Sequence, residues 1–209
     1  MLIELSDAPN AIAPPPAPEV AHVMRELTLK VAFDDEWNEE TAVRIADMFS
    51  AMAGDWTAGH DNPARDALLH DALDRGQVDG TRVLELGSGT GLGTRELAKR
   101  FESVVALDRS IGMLNEAPAE YGPRVLADAA ALPIQTSSVD VLVLVNMILF
   151  PSEAARVLTG GGSIVWINTF GANTPIHLTA DEVDRALPGD WTVTHSKAGT
   201  GTWAVARPS

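Results

Sequence analysis

The sequence predicts an α/β domain: a mostly parallel sheet of seven strands with an antiparallel last strand and helices on both faces. Three observations carry this reading. From Arg82 onward, short β-branched and aliphatic runs alternate with helical patterns, the signature of a parallel sheet wrapped on both sides. The first of these runs leads into a glycine-rich turn, Gly87-Ser-Gly-Thr-Gly-Leu-Gly93. The last two runs, Trp191 to His195 and Thr202 to Ala206, are joined by too short a link for a parallel crossover, so they must pair as an antiparallel hairpin.

The strands follow in order. Val83 to Leu86 is a buried aliphatic run, and a helical pattern through Leu92, Leu97 and Ala98 extends to Arg100. Ser103 to Leu107 is the second strand, ending at Asp108, and Ser110 caps the helix that carries Met113 and Leu114. Arg124 to Leu126 is the third. Val139 to Val145 is almost continuously apolar, as a central strand buried on both faces should be. A helix over Glu153 to Leu158 closes at Gly160-Gly-Gly162, and Ser163 to Asn168 is the fifth strand. Thr179-Ala-Asp-Glu182 is a capping box opening a helix that stops by Pro188-Gly189.

Upstream, residues 1–18 contain Ala13-Pro-Pro-Pro-Ala-Pro18, a composition that favours extended polyproline conformation and predicts a flexible N-terminal arm. Residues 19–78 read as a helical lid or extension, and 79–209 as the main domain. Glu19 to Lys30 is helix-compatible. Ala42, Ile45, Ala46, Phe49 and Met52 recur at helical spacing, giving an apolar face for packing or for a lid. Asn62-Pro63 starts a third helix with proline at its first position, and Gly76 ends it.

Composition bounds the function. The 209 residues carry a formal net charge of −14, which disfavours nucleic acid and anionic lipid surfaces as partners. With no cysteine, disulfides, zinc–thiolate sites and cysteine nucleophiles are excluded. The five histidines lack the short spacing of a metal site, so no metal is expected. The N-terminus lacks the basic start and apolar segment of a secretory signal, and the run Val141 to Phe150 is too short to span a bilayer. A cytoplasmic protein is expected. The sequence does not fix its oligomeric state.

The glycine turn selects the ligand. A dinucleotide fingerprint needs a third glycine or alanine five positions beyond the first. Starting from Gly87, Gly89 or Gly91, that position falls on Leu92, Thr94 or Glu96, so all three registers fail. No Gly-Lys-Ser/Thr follows, which removes the P-loop. The pattern Glu85-x-Gly87-x-Gly89-x-Gly91 instead resembles motif I of the class I S-adenosylmethionine (SAM) dependent methyltransferases. Leu132-Pro-Ile-Gln-Thr-Ser-Ser-Val-Asp140 and Arg156-Val-Leu-Thr-Gly-Gly-Gly162 are similar to motifs of their small-molecule branch, and Phe49-Ser-Ala-Met-Ala-Gly-Asp-Trp56 to their pre-domain segment. The resemblance covers Phe49 to Arg207 and implies a Rossmann-like fold.

The resemblance also implies a site. Gly87, Ser88 and Gly89 would let the backbone contact the methionine portion and ribose of SAM. Asp108 would accept from the ribose hydroxyls, Met113 would lie against adenine, and Asp128 with the Ala129 N–H would read the adenine edge. Trp56 would stand near the cofactor where relatives usually place tyrosine, or be a core residue. Glu85 either braces the turn or lies at the cofactor's amino end. Asn146 either satisfies local backbone or faces the sulfonium. His177, after the fifth strand, is the best placed of His60, His177 and His195 to act as a base, but no catalytic residue is assigned. The implied activity is methyl transfer from SAM to an O, N or C atom of a small molecule, with S-adenosylhomocysteine (SAH) as product. A non-catalytic SAM- or SAH-binding protein, or a methyltransferase on protein or RNA, are the alternatives.

Overall fold

The computed structural model describes residues 1–17 and 21–209. Its eight strands are β1 (Leu2–Glu4), β2 (Arg82–Leu86), β3 (Ser103–Asp108), β4 (Arg124–Leu126), β5 (Val139–Val145), β6 (Leu158–Asn168), β7 (Trp191–Ala198) and β8 (Gly201–Pro208). Its α-helices are α1 (Ala21–Asp34), α2 (Glu39–His60), α3 (Pro63–Arg75), α4 (Leu92–Leu97), α5 (Ile111–Glu116), α6 (Pro151–Val157) and α7 (Ala180–Ala186). The strands form one sheet in the order β1-β7-β8-β6-β5-β2-β3-β4. Only β8 runs against its neighbours, pairing antiparallel with both β6 and β7. The antiparallel final hairpin expected from the short link is therefore present. The chain reverses direction across the sheet between β2 and β5, which are parallel neighbours, and ligands in open α/β sheets bind outside the carboxyl ends of the strands at such a switch point.

Alternation along the strands builds two apolar layers. Leu84, Leu86, Leu142, Leu144, Ile164 and Trp166 face one side, while Val83, Val141, Val143, Val165, Ile167 and Val205 face the other, beneath α3 and α4. The central residues Val141, Leu142, Val143 and Leu144 are all fully buried, which is why this strand reads as a continuous apolar run.

Two sequence motifs have a structural meaning here. Asp140 accepts from the main-chain N–H groups of Thr81 and Arg82 and from the Arg82 guanidinium, so it pins the start of β2 to β5. These donors hold its carboxyl well below the usual range. Arg156 donates to the carbonyls of Leu132 and Ile134 and pairs with Glu153, locking the Leu132-Pro133 loop to α6. Both motifs therefore act on loop position.

The structure departs from expectation at the N-terminus. Leu2–Glu4 is an eighth strand, parallel to β7, where a flexible arm was expected. The following residues stay attached: Ala8 N donates to Lys197 O, Ile12 N to Gly199 O, and Asn173 Nδ2 to Pro15 O. The edge of β7, the turn that follows it and the turn after β6 supply these partners, and so short a strand carries no periodic signal of its own. Pro18, the last residue of the expected arm, and Glu19 and Val20, the first of the expected helix, lie outside the described residues. The expected lid region also divides. Helices α1 and α2 cover the carboxyl edge of the sheet, whereas α3 packs beneath it through Leu68, Leu69 and Leu73.

Smaller differences concern element ends. Helix α2 runs unbroken from its Asn38 cap, whose side chain accepts from Thr41 N, through the whole Phe49–Trp56 segment. Helix α6 starts at Pro151, and the glycine run 160–162 belongs to β6. Gly76 caps α3 in right-handed conformation, and Gln77 takes the left-handed one. A side chain at 76 would stand 2.2 Å from the Ala72 carbonyl and 2.6 Å from Val205, so the end of α3 and its packing on β8 together require glycine there.

Candidate active site

The glycine turn sits where β2 ends. Gly87 and Gly89 both have left-handed backbone, at φ +67° and +56°, a region that costs other residues about 1–2 kcal/mol. Ser88 N donates to Leu107 O at 3.1 Å, and Gly89 N donates to Asp108 Oδ2 at 2.8 Å. The turn is thus lashed to the end of β3. A Cβ on Gly89 would meet nothing closer than Trp56 Nε1 at 3.9 Å and Met113 Sδ at 4.0 Å. The backbone here opens onto a cavity, with both of those side chains facing it.

Asp108 is the hub of this edge. Its other oxygen accepts from Ser110 N at 2.7 Å, so each oxygen has one main-chain donor and keeps a second lone pair. Burial pushes its carboxyl up, against the opposing effect of the Ser110, Gly89 and Arg109 N–H groups. Asp128 is more fully engaged. Its Oδ2 accepts from Trp37 Nε1 at 3.1 Å and pairs with Arg109 at 3.0 Å, and its Oδ1 accepts from Ala130 N at 2.9 Å. No sequence pattern marked the Trp37 contact, which ties the α1–α2 link to the Asp128 side of the cavity.

Beneath the turn lies Glu85, which is 1% exposed. Strand alternation points it away from the cavity and toward α4, where Thr94 Oγ1 donates to it and Gly93 leaves it room: a Cβ at 93 would stand 2.0 Å from its Oε1. Of its two readings, the geometry matches the loop brace, and Glu85 is absent from the cavity wall. Burial pushes its carboxyl up to about 7, opposed by the Thr94 hydroxyl and the Arg65 charge. The native chain therefore keeps a proton between about pH 4.5 and 7 that the unfolded chain releases. The stability this group contributes is complete below pH 4.5 and lost as pH rises through 7. Glu85→Gln, which stays neutral, is expected to gain about 3 kcal/mol on the wild type between pH 4.5 and 7.5. Denaturant titrations of both proteins across that range measure it; parallel pH profiles would contradict it.

Arg65 was not foreseen. It stands in the first turn of α3, whose Asn62 cap accepts from its N–H, and its side chain lines the cavity beside the glycine turn. Its Nη1 is buried without a hydrogen-bond partner, and so is Ser88 Oγ. Burial lowers the guanidinium pKa while the nearby Glu85 charge raises it. An unpaired buried donor of this kind costs about 1–3 kcal/mol, more when charged, until a ligand satisfies it. The sequence held one signal. A basic residue in a first helical turn opposes the helix dipole, an unfavourable placement that calls for a reason.

The cavity encloses 1030 Å³, at the upper limit of the roughly 300–1,000 Å³ typical for one small ligand. Among the sequence-derived candidates it gathers Trp56, Gly87, Ser88, Gly89, Asp108, Met113, Asp128, Ala129 and Asn146. The Asn146 side chain spends both its ends on Thr169, donating to Oγ1 at 2.8 Å and accepting from the main-chain N–H at 2.9 Å. This corresponds to the local-satisfaction reading and holds Asn146 at φ +52°. Trp56 stacks on His60 with centroids 3.8 Å apart and meets Phe49 edge-on at 5.6 Å. His60 faces the cavity, whereas His177 and His195 line a separate 330 Å³ pocket beside β1 and α7. The preference for His177 as a base is thus corrected, because the turn after β6 directs its ring away from the glycine turn. Among the described residues no cluster of three or more histidine, aspartate and glutamate side chains could hold a metal ion, and no helix is long and apolar enough to cross a membrane.

A doubly covered, mostly parallel sheet, a glycine turn at its switch point and an acidic residue ending the next strand define a Rossmann-like fold. Comparison with known proteins narrows this. Residues 84–166 match the family model described as a methyltransferase domain. The chain is 39% identical over 112 residues to the biotin biosynthesis bifunctional protein BioHC of Cellvibrio japonicus, covering 49% of this chain and 22% of that protein. It is 37% identical over 93 residues to a demethylmenaquinone methyltransferase of Mycobacterium sp. strain KMS, covering 41% and 40%. The chain thus spans less than half the length of these two curated relatives. Among solved structures, a DhpI–SAH complex superposes with a TM-score of 0.64 at 20% identity, covering 78% of this chain and 95% of that one. A SAM-dependent methyltransferase from Aquifex aeolicus gives 0.56 at 20%, covering 70% and 93%. These likenesses establish the fold. Residues 84–166 thus carry a methyltransferase-domain match within a fold shared with solved SAM-dependent methyltransferases.

Proposed function

We propose that the protein is a SAM-dependent methyltransferase that moves a methyl group to an O, N or C atom of a small molecule by in-line displacement. The observation that carries this reading is the pair of orphaned polar atoms, Arg65 Nη1 and Ser88 Oγ, beside a glycine turn whose neighbour Asp108 keeps free lone pairs. A carboxylate answers the first pair and vicinal hydroxyls answer the second. The amino-acid end and the ribose of SAM present those groups.

In this reading Arg65 and Ser88 hold the cofactor's carboxylate. The backbone of Gly87 and Gly89 lies along its methionine and ribose, and Asp108 accepts from the ribose hydroxyls. Met113 and the Ala129 N–H meet the adenine, with the one lone pair that Asp128 has left. Trp56 walls the site beside Gly89. Bound SAM supplies a methyl group already activated on sulfur. The chain's own task is then to align the two reactants and exclude water, which the covering helices α1 and α2 favour. No side chain is assigned as a base. A cytoplasmic location belongs to this reading.

Incubating the protein with SAM labelled in its methyl group and with fractionated cell extract tests the proposal. Label is expected in the small-molecule fraction. Label confined to protein or RNA, or binding of SAM without turnover in any fraction, would overturn it.

A further inference from the structure

Resting on that reading, the far side of the cavity bears on the methyl acceptor. Its walls are one face each of α1 and α2. Five of the six methionines in the chain, Met24, Met48, Met52, Met113 and Met147, line this one cavity. Methionine walls are soft and repack around flexible apolar ligands. Several apolar side chains at the opening remain in solvent: Val23 is 56% exposed, Met48 and Met52 39% each, and Phe170 37%. Exposed apolar side chains gathered around one cavity mark it as a binding surface.

The charges that these two helices direct at the cavity differ from those of the chain as a whole. The cavity-lining charged side chains of α1 and α2 are Glu26, Lys30 and Arg44. Lys30 pairs with Glu26 at 3.0 Å. Arg44 forms no ion pair or hydrogen bond with any described residue. A chain of net charge −14 thus directs an uncompensated cation at its apolar cavity, about one helical turn from the Met48 side chain. The cofactor's own carboxylate has a different partner in Arg65, so Arg44 is left for the second ligand.

We infer that the acceptor is an amphiphile with a flexible apolar body and one negative charge, and that Arg44 binds the charge. The apolar body lies between α1 and α2 against the methionines, and Arg44 acts as a specificity determinant that touches neither the glycine turn nor Asp108.

Three probes with the same twelve-carbon chain, dodecanoate, dodecanol and dodecylammonium, separate the contributions. Their binding is followed by tryptophan fluorescence, since Trp37 and Trp56 both line the cavity, with and without SAH, on wild type, Arg44→Gln and Arg185→Gln. Arg185 is an exposed residue of α7 paired with Asp181 and controls for overall charge. Dodecanoate is expected to bind tightest, Arg44→Gln to weaken it by about tenfold or more and to leave dodecanol unchanged, and Arg185→Gln to change nothing. Equal affinity for the three head groups, or dodecanoate binding indifferent to Arg44→Gln, would overturn the inference. SAH binding by the same samples keeps the two readings apart: retained SAH binding without head-group discrimination overturns only the acceptor class, and absent SAH binding overturns the methyltransferase reading itself.

Discussion

Asp108→Ala is expected to weaken SAH binding by about 100-fold or more. Two losses combine. A carboxylate that accepts from two ribose hydroxyls contributes roughly 1.5–3 kcal/mol per charge-assisted hydrogen bond. The same carboxylate fixes the glycine turn through Gly89 N at 2.8 Å and the start of α5 through Ser110 N at 2.7 Å, so its removal also loosens the backbone that must lie along the cofactor. Asp108→Asn separates the two effects, because its amide oxygen still accepts from one of those N–H groups while the charge is gone. An intermediate affinity is expected. Isothermal titration of the three proteins, with circular dichroism to verify folding, measures the series. Equal affinities across it would remove Asp108 from the site.

Arg65→Met is expected to lower SAH affinity by about 10- to 100-fold, through loss of a buried charge-assisted contact to the carboxylate. The diagnostic comparison uses 5′-methylthioadenosine, which shares the adenine, ribose and thioether but has no amino-acid end. Wild type should bind SAH much more tightly than this truncated ligand, and the variant should bind the two nearly alike. Methionine preserves the length and apolar stem of the side chain while removing a buried cation, so folding should be unharmed or improved. If the variant lost affinity equally for both ligands, Arg65 would be a structural residue of α3 rather than the carboxylate's partner.

Much of this architecture is legible in the sequence, for identifiable reasons. Strands β2 to β8 are bracketed by turn residues, and the central ones, β2, β5 and β6, are buried on both faces, so their aliphatic runs stand out. The glycine spacing separates motif I from a dinucleotide fingerprint without any structural knowledge, and the short link between β7 and β8 leaves no topology but a hairpin. What escaped depends on tertiary geometry. Leu2–Glu4 is a strand only because β7 offers an open edge. Glu85 is set by strand alternation: an odd position in β2 shares the face of Val83, toward α4, while the cavity lies beyond the strand's end. His177 follows β6 on the expected side, yet the turn through Gly171–Asn173 carries its ring into the smaller pocket. Arg65 lies outside every motif, and only its place in a first helical turn, against the dipole, marked it. The half of the cavity proposed to hold the cofactor is thus written in local motifs, whereas the half proposed for the acceptor is assembled from two helix faces whose apolar spacing alone does not distinguish a lid from ordinary packing.

The central claim is that the glycine turn, Asp108 and Arg65 form a SAM site. Calorimetric titration of the purified protein with SAH, with NAD and ATP titrated in parallel, tests it most directly. The account predicts one site of micromolar or tighter affinity for SAH and no measurable binding of NAD or ATP. Absence of SAH binding by the folded wild-type protein, or binding of NAD in its place, would contradict it.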